Sequence, residues 1–136
     1  MKTKTSKLLV IMLAALISLT ACTSVDPWQS ATYKEDTALG EGSITFTLIV
    51  EVEEHAVTFT VSTDEENLAS ALMEVNLVDG EDGAYGLYLK SVNGVVADYD
   101  ANGAWWGVYV GDKAADTGVS GITVENGGTY KLVYSK

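Results

Sequence analysis

Residues 43–62 read SITFTLIVEVEEHAVTFTVS, and their apolar residues fall at every second position. Ile44, Phe46, Leu48, Val50 and Val52 share one side of an extended chain. Val57, Phe59 and Val61 do the same after Glu53, Glu54 and His55. A period of two is the side-chain repeat of a β-strand, so the stretch predicts a hairpin with one buried face and a turn at Glu53–His55. A lone histidine at such a turn is expected to be solvated. Everything that follows must cover that apolar face.

The next signals supply the cover. Thr63-Asp64-Glu65-Glu66 fits the S/T-x-x-E capping box, and Leu68, Leu72 and Val75 recur at helical spacing beside Ala71. This predicts one amphipathic helix ending near Val75. VDGEDG (78–83) reads as a loop. AYGLYLKSV, Asn93-Gly94 and VVADYD form a second hairpin, because Asn-Gly suits the positive φ angles of a two-residue turn. GAWWGVYVG is a further strand turned by Gly111-Asp112; ENGG (125–128) is a turn, and TYKLVYSK closes the chain. The predicted fold class is α+β: a β-grasp-like, mostly antiparallel or mixed sheet with one helix, in the order β-β-α-β-β-β-β.

The start of the chain has another purpose. Lys2, Lys4 and Lys7 precede the apolar run LLVIMLAALISL, which ends in Leu-Thr-Ala before Cys22, the one cysteine. A charged leader, a short apolar stretch and small residues make an export signal, and the run is short for a membrane-spanning helix. The L-T-A-C stretch resembles the lipobox of bacterial lipoproteins, which implies cleavage before Cys22 and a diacylglycerol on its sulfur. The expected organisation is a signal peptide over 1–21, a lipidated Cys22 with a flexible tether over 22–42, and a domain over 43–136. The expected location is the extracytoplasmic face of the cell membrane, or an outer membrane where the cell has one.

Charge narrows the partners. Five basic residues remain after the leader, against nineteen acidic ones, a formal charge of −14, and there is no arginine. Such a polyanion repels nucleic acid, so no nucleic-acid partner is expected. The membrane is expected as a partner through the lipid alone.

The second half shows an ordered set of signals: the helix NLASALMEVNL, then GAYGLYLKSVNGVVADYD, then WWGVYVGDKAADTGV, then ITVENGGTYKLVYS. This set resembles the C-terminal β-domain of transcobalamin and intrinsic factor, and the bacterial transcobalamin-like domain family of unknown function related to it. Gly111 stands where that family often has Asn, and the closing turn has Gly where it often has Asp. The resemblance covers 63–136 well and 43–62 loosely. It implies a β-grasp-like fold and cobalamin or another corrinoid as the ligand class. In transcobalamin a helical barrel forms the other half of the clamp, and this chain has no residues for one.

NGAWWGVYVG carries the candidate site. Adjacent strand residues face opposite sides, so Trp106, Val108 and Val110 are expected in the core, with Trp105, Gly107 and Tyr109 on the other face. Gly107 between two aromatic rings would leave a slot. On the preceding strand Tyr85, Leu87 and Leu89 alternate with Gly86, Tyr88 and Lys90, and Tyr88 beside Trp105 and Tyr109 would complete an aromatic shelf. A shelf of this kind suits a flat apolar ring: a corrin, a haem, a glycan or an aromatic-rich protein partner. The alternative is that Trp105 covers the sheet face or packs on the tether. Asp98, Asp100 and Asn102 match D-x-D-x-N-G, the start of a calcium loop, but position twelve would be Tyr109 and no helix flanks the loop. An Asx-rich connection is the plainer reading, and no metal is required.

There is no nucleophile with an evident base, so the chain is not expected to be an enzyme and needs no cofactor. The expected function is a lipid-anchored extracytoplasmic binding module, capturing cobalamin or another corrinoid for uptake and passing it to a membrane transporter. The alternative is a cell-surface adhesion or scaffold module binding a protein or glycan.

Overall fold

The computed structural model describes residues 26–136; the stretch expected as a signal peptide (1–21) and Cys22 lie outside the described residues. The predicted hairpin forms as β2 (Ile44–Val52) and β3 (His55–Thr63). Its register pairs Phe46 with Val61, Leu48 with Phe59 and Val50 with Val57, so the two apolar rows lie on one face. All six side chains are buried. The last strand, β9 (Thr129–Ser135), runs parallel to β2 and adds Tyr130, Leu132 and Tyr134 to that face. β7 (Trp105–Val110) then pairs antiparallel with β9, and the short β8 (Lys113–Ala114) ends the sheet.

The helix α1 (Leu68–Glu74) buries Leu68, Ala69, Ala71 and Leu72 in the same core. A hairpin, a helix and a closing strand that returns parallel to the first is the β-grasp arrangement. The fold class is α+β, as the sequence indicates.

The helix starts later than the capping box predicts. Thr63 is the last residue of β3, and Asn67 is the cap, accepting a 2.9 Å bond from the Ser70 amide. Asn67 is still extended and bridges to Thr123, so the chain must cross to that segment before it can coil.

Two further differences concern strands. VDGEDG, expected as a loop, is β4 (Val78–Gly83), which pairs with β5 (Gly86–Val92) through a bulge at Asp79/Gly80. Its turn-like composition reflects an exposed edge position rather than a bend. With β6 (Val95–Val96), β4 and β5 make a second, three-stranded sheet where one sheet was expected. Asn93 and Gly94 turn β5 into β6 with φ of 51° and 79°, the positive pair that Asn-Gly favours.

The largest departure lies before Ser43. Residues 26–42, expected as flexible tether, are part of the fold. A short 3-10 turn at Pro27–Ser30 buries Trp28, and β1 (Thr37–Gly40) pairs parallel to the outer side of β3. Trp28 stacks on His55, centroids 5.0 Å apart and 6° from parallel, and Asp26 Oδ2 lies 3.6 Å from His55 Nε2. His55 is therefore half-covered by an aromatic neighbour rather than simply solvated. Asn93 fastens the same segment to the small sheet: its side chain accepts from the Tyr33 amide at 2.9 Å and donates to the Tyr33 carbonyl at 2.8 Å.

At the other end of the hairpin, Asp64 Oδ1 accepts from the Ser43 amide and the Ser43 hydroxyl, both at 2.9 Å. These bonds, the amide first, hold its carboxyl below the ordinary 3.8. Folding lowers this pKa, so the contribution is complete above 3.8 and is lost as pH falls through the lower folded value. In acid unfolding at a series of pH values, the stability gap between the native chain and Asp64→Asn should narrow below pH 3.8. A gap that stays constant through that range would mean the charge on Asp64 contributes nothing.

Candidate functional site

The Trp-Trp pair divides as strand parity requires. Trp106 is buried on the core face, edge-on to Tyr134 (5.6 Å, 74°), and its indole N–H donates to the Lys90 carbonyl at 3.3 Å. Trp105 points the other way and is 45% exposed. Val110 shares the core parity yet is exposed at the last position of β7.

β8 pairs with Tyr109 and Val110, and the Ala115 amide beyond it donates to the Val108 carbonyl at 2.9 Å, which leaves the edge of β7 from Trp105 to Gly107 without a neighbouring strand. The small sheet approaches that edge. Between them lies a cavity of about 150 Å³ lined by Leu87, Tyr88, Leu89, Trp105, Trp106, Val108, Gly118 and Val119. A second hollow of about 220 Å³ adjoins it, sharing Leu87, Tyr88 and Gly118, and reaches Tyr85 at the tip of the β4–β5 hairpin. The two make a groove walled by apolar side chains, with Tyr88 (50% exposed) and Trp105 at its rim and Tyr85 (95% exposed) beyond. Lys90 Nζ sits 5.6 Å from the Tyr88 ring centroid, placing a cation beside the aromatic rim.

The structure thus brings Tyr88 and Trp105 together, but at the edge of the sheet rather than on its open face. Tyr109 does not line the groove. Nor does Gly107 leave a slot: a side-chain carbon there would lie 3.3 Å from the Tyr109 ring, 3.5 Å from the Trp105 ring and 3.5 Å from Ser135 Oγ. The two rings lean over the glycine and close the space between them. Tyr85, grouped by alternation with Leu87 and Leu89, lies before the first residue of β5 and is exposed. Gly118 and Val119 are wall residues that periodicity did not single out, since the 118–119 segment reaches the groove only through tertiary packing. Ser120 Oγ accepts from the Leu87 amide at 2.9 Å and fixes that segment against β5.

The largest cavity among those described, about 370 Å³, lies at the opposite end of β7, between Val110, Lys113, Ile122 and Tyr130. It carries fewer exposed rings, and the Tyr130 hydroxyl is already engaged by the Glu125 amide and the Thr123 carbonyl.

In the D-x-D-x-N-G stretch, Asp98 caps a single helical turn, α2 (Tyr99–Asn102), by accepting from the Asp100 and Ala101 amides. Asn102 Oδ1 accepts from the Ala104 amide at 3.0 Å. These side chains stabilise a backbone turn. Among the described residues no three His, Cys, Asp or Glu side chains gather as a metal site.

Fold and groove together define a small β-grasp-type α+β domain with an aromatic-rimmed cleft at the free edge of its main sheet. The chain belongs to the family described as Domain of unknown function (DUF4430), whose model matches residues 65–136. A crystal structure from Ruminococcus gnavus ATCC 29149, described as a "putative metal binding protein", is similar at 29% identity and a TM-score of 0.65, over 69% of this chain and 98% of that one. Haptocorrin, solved in complex with Cbi, shares the fold at 18% identity and a TM-score of 0.56, over 68% of this chain and 25% of that one. This chain thus corresponds to about a quarter of haptocorrin. No curated protein matches it.

Proposed function

We propose that this protein is a lipid-anchored extracytoplasmic binding module that takes a flat, ring-containing ligand of the corrinoid class in the Tyr88–Trp105 groove. The observation that carries this reading is the groove itself: apolar walls, two half-exposed aromatic rings and an adjacent ammonium, at the edge of β7. Apolar burial and stacking supply affinity in such a site, and a few polar groups fix orientation. The shared fold with haptocorrin supports the corrinoid class. Binding, with hand-over to a membrane transporter, is the role proposed, rather than catalysis.

A second reading rests on the same free edge. An extended segment of a surface protein could add to β7 by strand pairing, and a glycan could stack on the rim, as in an adhesion or scaffold module.

Titration of residues 23–136 with cobalamin and cobinamide, followed by tryptophan fluorescence and corrin absorbance, separates the two. Saturable binding is expected. Trp105→Ala should weaken it by about tenfold or more, about 1.4 kcal/mol. Tyr109→Ala should leave it unchanged, because Tyr109 lies outside the groove. No binding at millimolar ligand would overturn the corrinoid reading and favour a protein or glycan partner.

A further inference from the structure

The fold begins only a short distance after the proposed lipid site. Asp26 accepts from the Trp28 amide at 3.0 Å, and its other carboxylate oxygen faces His55 at the β2–β3 turn. Trp28 is buried against the same histidine. Asp26 is therefore fixed to that end of the domain. Thr23, Ser24 and Val25 are all that separate it from Cys22. Four Cα-to-Cα steps reach at most about 14 Å. The headgroup layer of one leaflet takes up roughly 5–8 Å of that reach.

The register shows what else lies at this end. Glu51 pairs with Val133 and Trp105 with Ser135, so Trp105 is level with the β2–β3 turn. β6 packs against the Pro27–Ser30 turn, and a side-chain carbon at Gly94 would lie 2.5 Å from the Ser30 carbonyl. Next to this junction two apolar side chains stand in the open: Val96, 58% exposed, and Tyr99, 64% exposed. A tyrosine beside an aliphatic residue suits the boundary between headgroups and acyl chains.

We propose that the end of the domain bearing Val96 and Tyr99 rests on the lipid bilayer, held there by the three-residue link to Cys22, with the mouth of the groove at Trp105 close to the membrane plane. The inference rests on lipidation of Cys22. Asp26, Glu53, Glu54, Asp98 and Asp100 lie at or beside this end, so the contact is to a zwitterionic surface and weakens as anionic lipid is added.

The test uses the full chain, processed in a bacterial host and reconstituted in phosphatidylcholine vesicles. Because the thioether blocks Cys22, a single introduced cysteine can be spin-labelled uniquely. Val96→Cys reports the proposed contact, and Asp112→Cys, in the turn at the other end of β7, is the reference. The label at 96 should be severalfold less accessible to an aqueous nickel chelate than the label at 112. A glycine-serine spacer after Val25 of about ten residues, adding roughly 17 Å of mean reach, should abolish the difference. Equal accessibility at 96 and 112 in chains that float with the vesicles would overturn the proposal alone. A chain that neither floats nor shows the diacylglycerol mass on Cys22 would overturn it together with the lipid-anchor reading. Protection at 96 that strengthens with anionic lipid would also overturn it.

Discussion

Phe59→Ala is expected to lower stability by about 3–5 kcal/mol. Phe59 is fully buried in the middle of β3, opposite Leu48 of β2 on one side and beside Thr37 of β1 on the other. Strands hydrogen-bonded on both sides cannot close inward on a vacated ring, so most of the cavity remains and most of its cost is felt. A domain of this size holds about 5–15 kcal/mol in total, so the loss is a large fraction of it. Urea unfolding of the two chains measures it directly. A difference below about 1 kcal/mol would show that the site repacks and that β1 does not confine it. The ring also meets Tyr33 edge-on, at 5.7 Å and 79°. Tyr33 belongs to the segment that alternation alone would discard as a tether. A chain beginning at Ser43 therefore loses Tyr33, Trp28 and β1 together, and should be far less stable than one beginning at Asp26.

The second large effect is expected at Asn93, where Asn93→Ala should cost about 2–4 kcal/mol. Two causes add. The buried side chain makes both hydrogen bonds to the Tyr33 main chain, and alanine leaves that amide and carbonyl without partners. The backbone has φ of 51°, a conformation asparagine tolerates better than alanine. Asn93→Gly separates the two, since glycine accepts the angle and lacks the hydrogen bonds; its cost should fall between the native chain and Asn93→Ala. Equal losses in the two variants would assign the whole effect to the hydrogen bonds. Thermal unfolding is a sufficient readout. Amide exchange at Thr32 and Tyr33 adds location, because the Thr32 amide is held by the Asn93 carbonyl at 2.8 Å. Both amides should exchange faster in Asn93→Ala, without a matching change in β2.

Residues 43–63, the helix stripe and the Asn-Gly turn were legible because each encodes its structure locally. A period of two with one apolar face has few ways to fold other than as a half-buried hairpin. Leu68, Ala71 and Leu72 fix a helix face by spacing alone, and Asn-Gly fixes a turn by its φ angles. Strand parity likewise sent Trp106 inward and Trp105 outward. The same reasoning failed where the deciding contact is remote in sequence. VDGEDG has the composition of a loop, and only its pairing with β5 makes it a strand. Trp28 and β1 carry no periodicity; they are ordered by His55, Phe59 and Asn93, which lie between about 20 and 60 residues away. The groove followed the same rule. Sequence could name Trp105 and Tyr88 as outward-facing rings, since parity is local. It could not show that Tyr109 would lean over Gly107, or that Val119 and Leu87 would form a wall. The wall depends on how closely the second sheet approaches the edge of β7, and that distance is set by packing rather than by any run of residues.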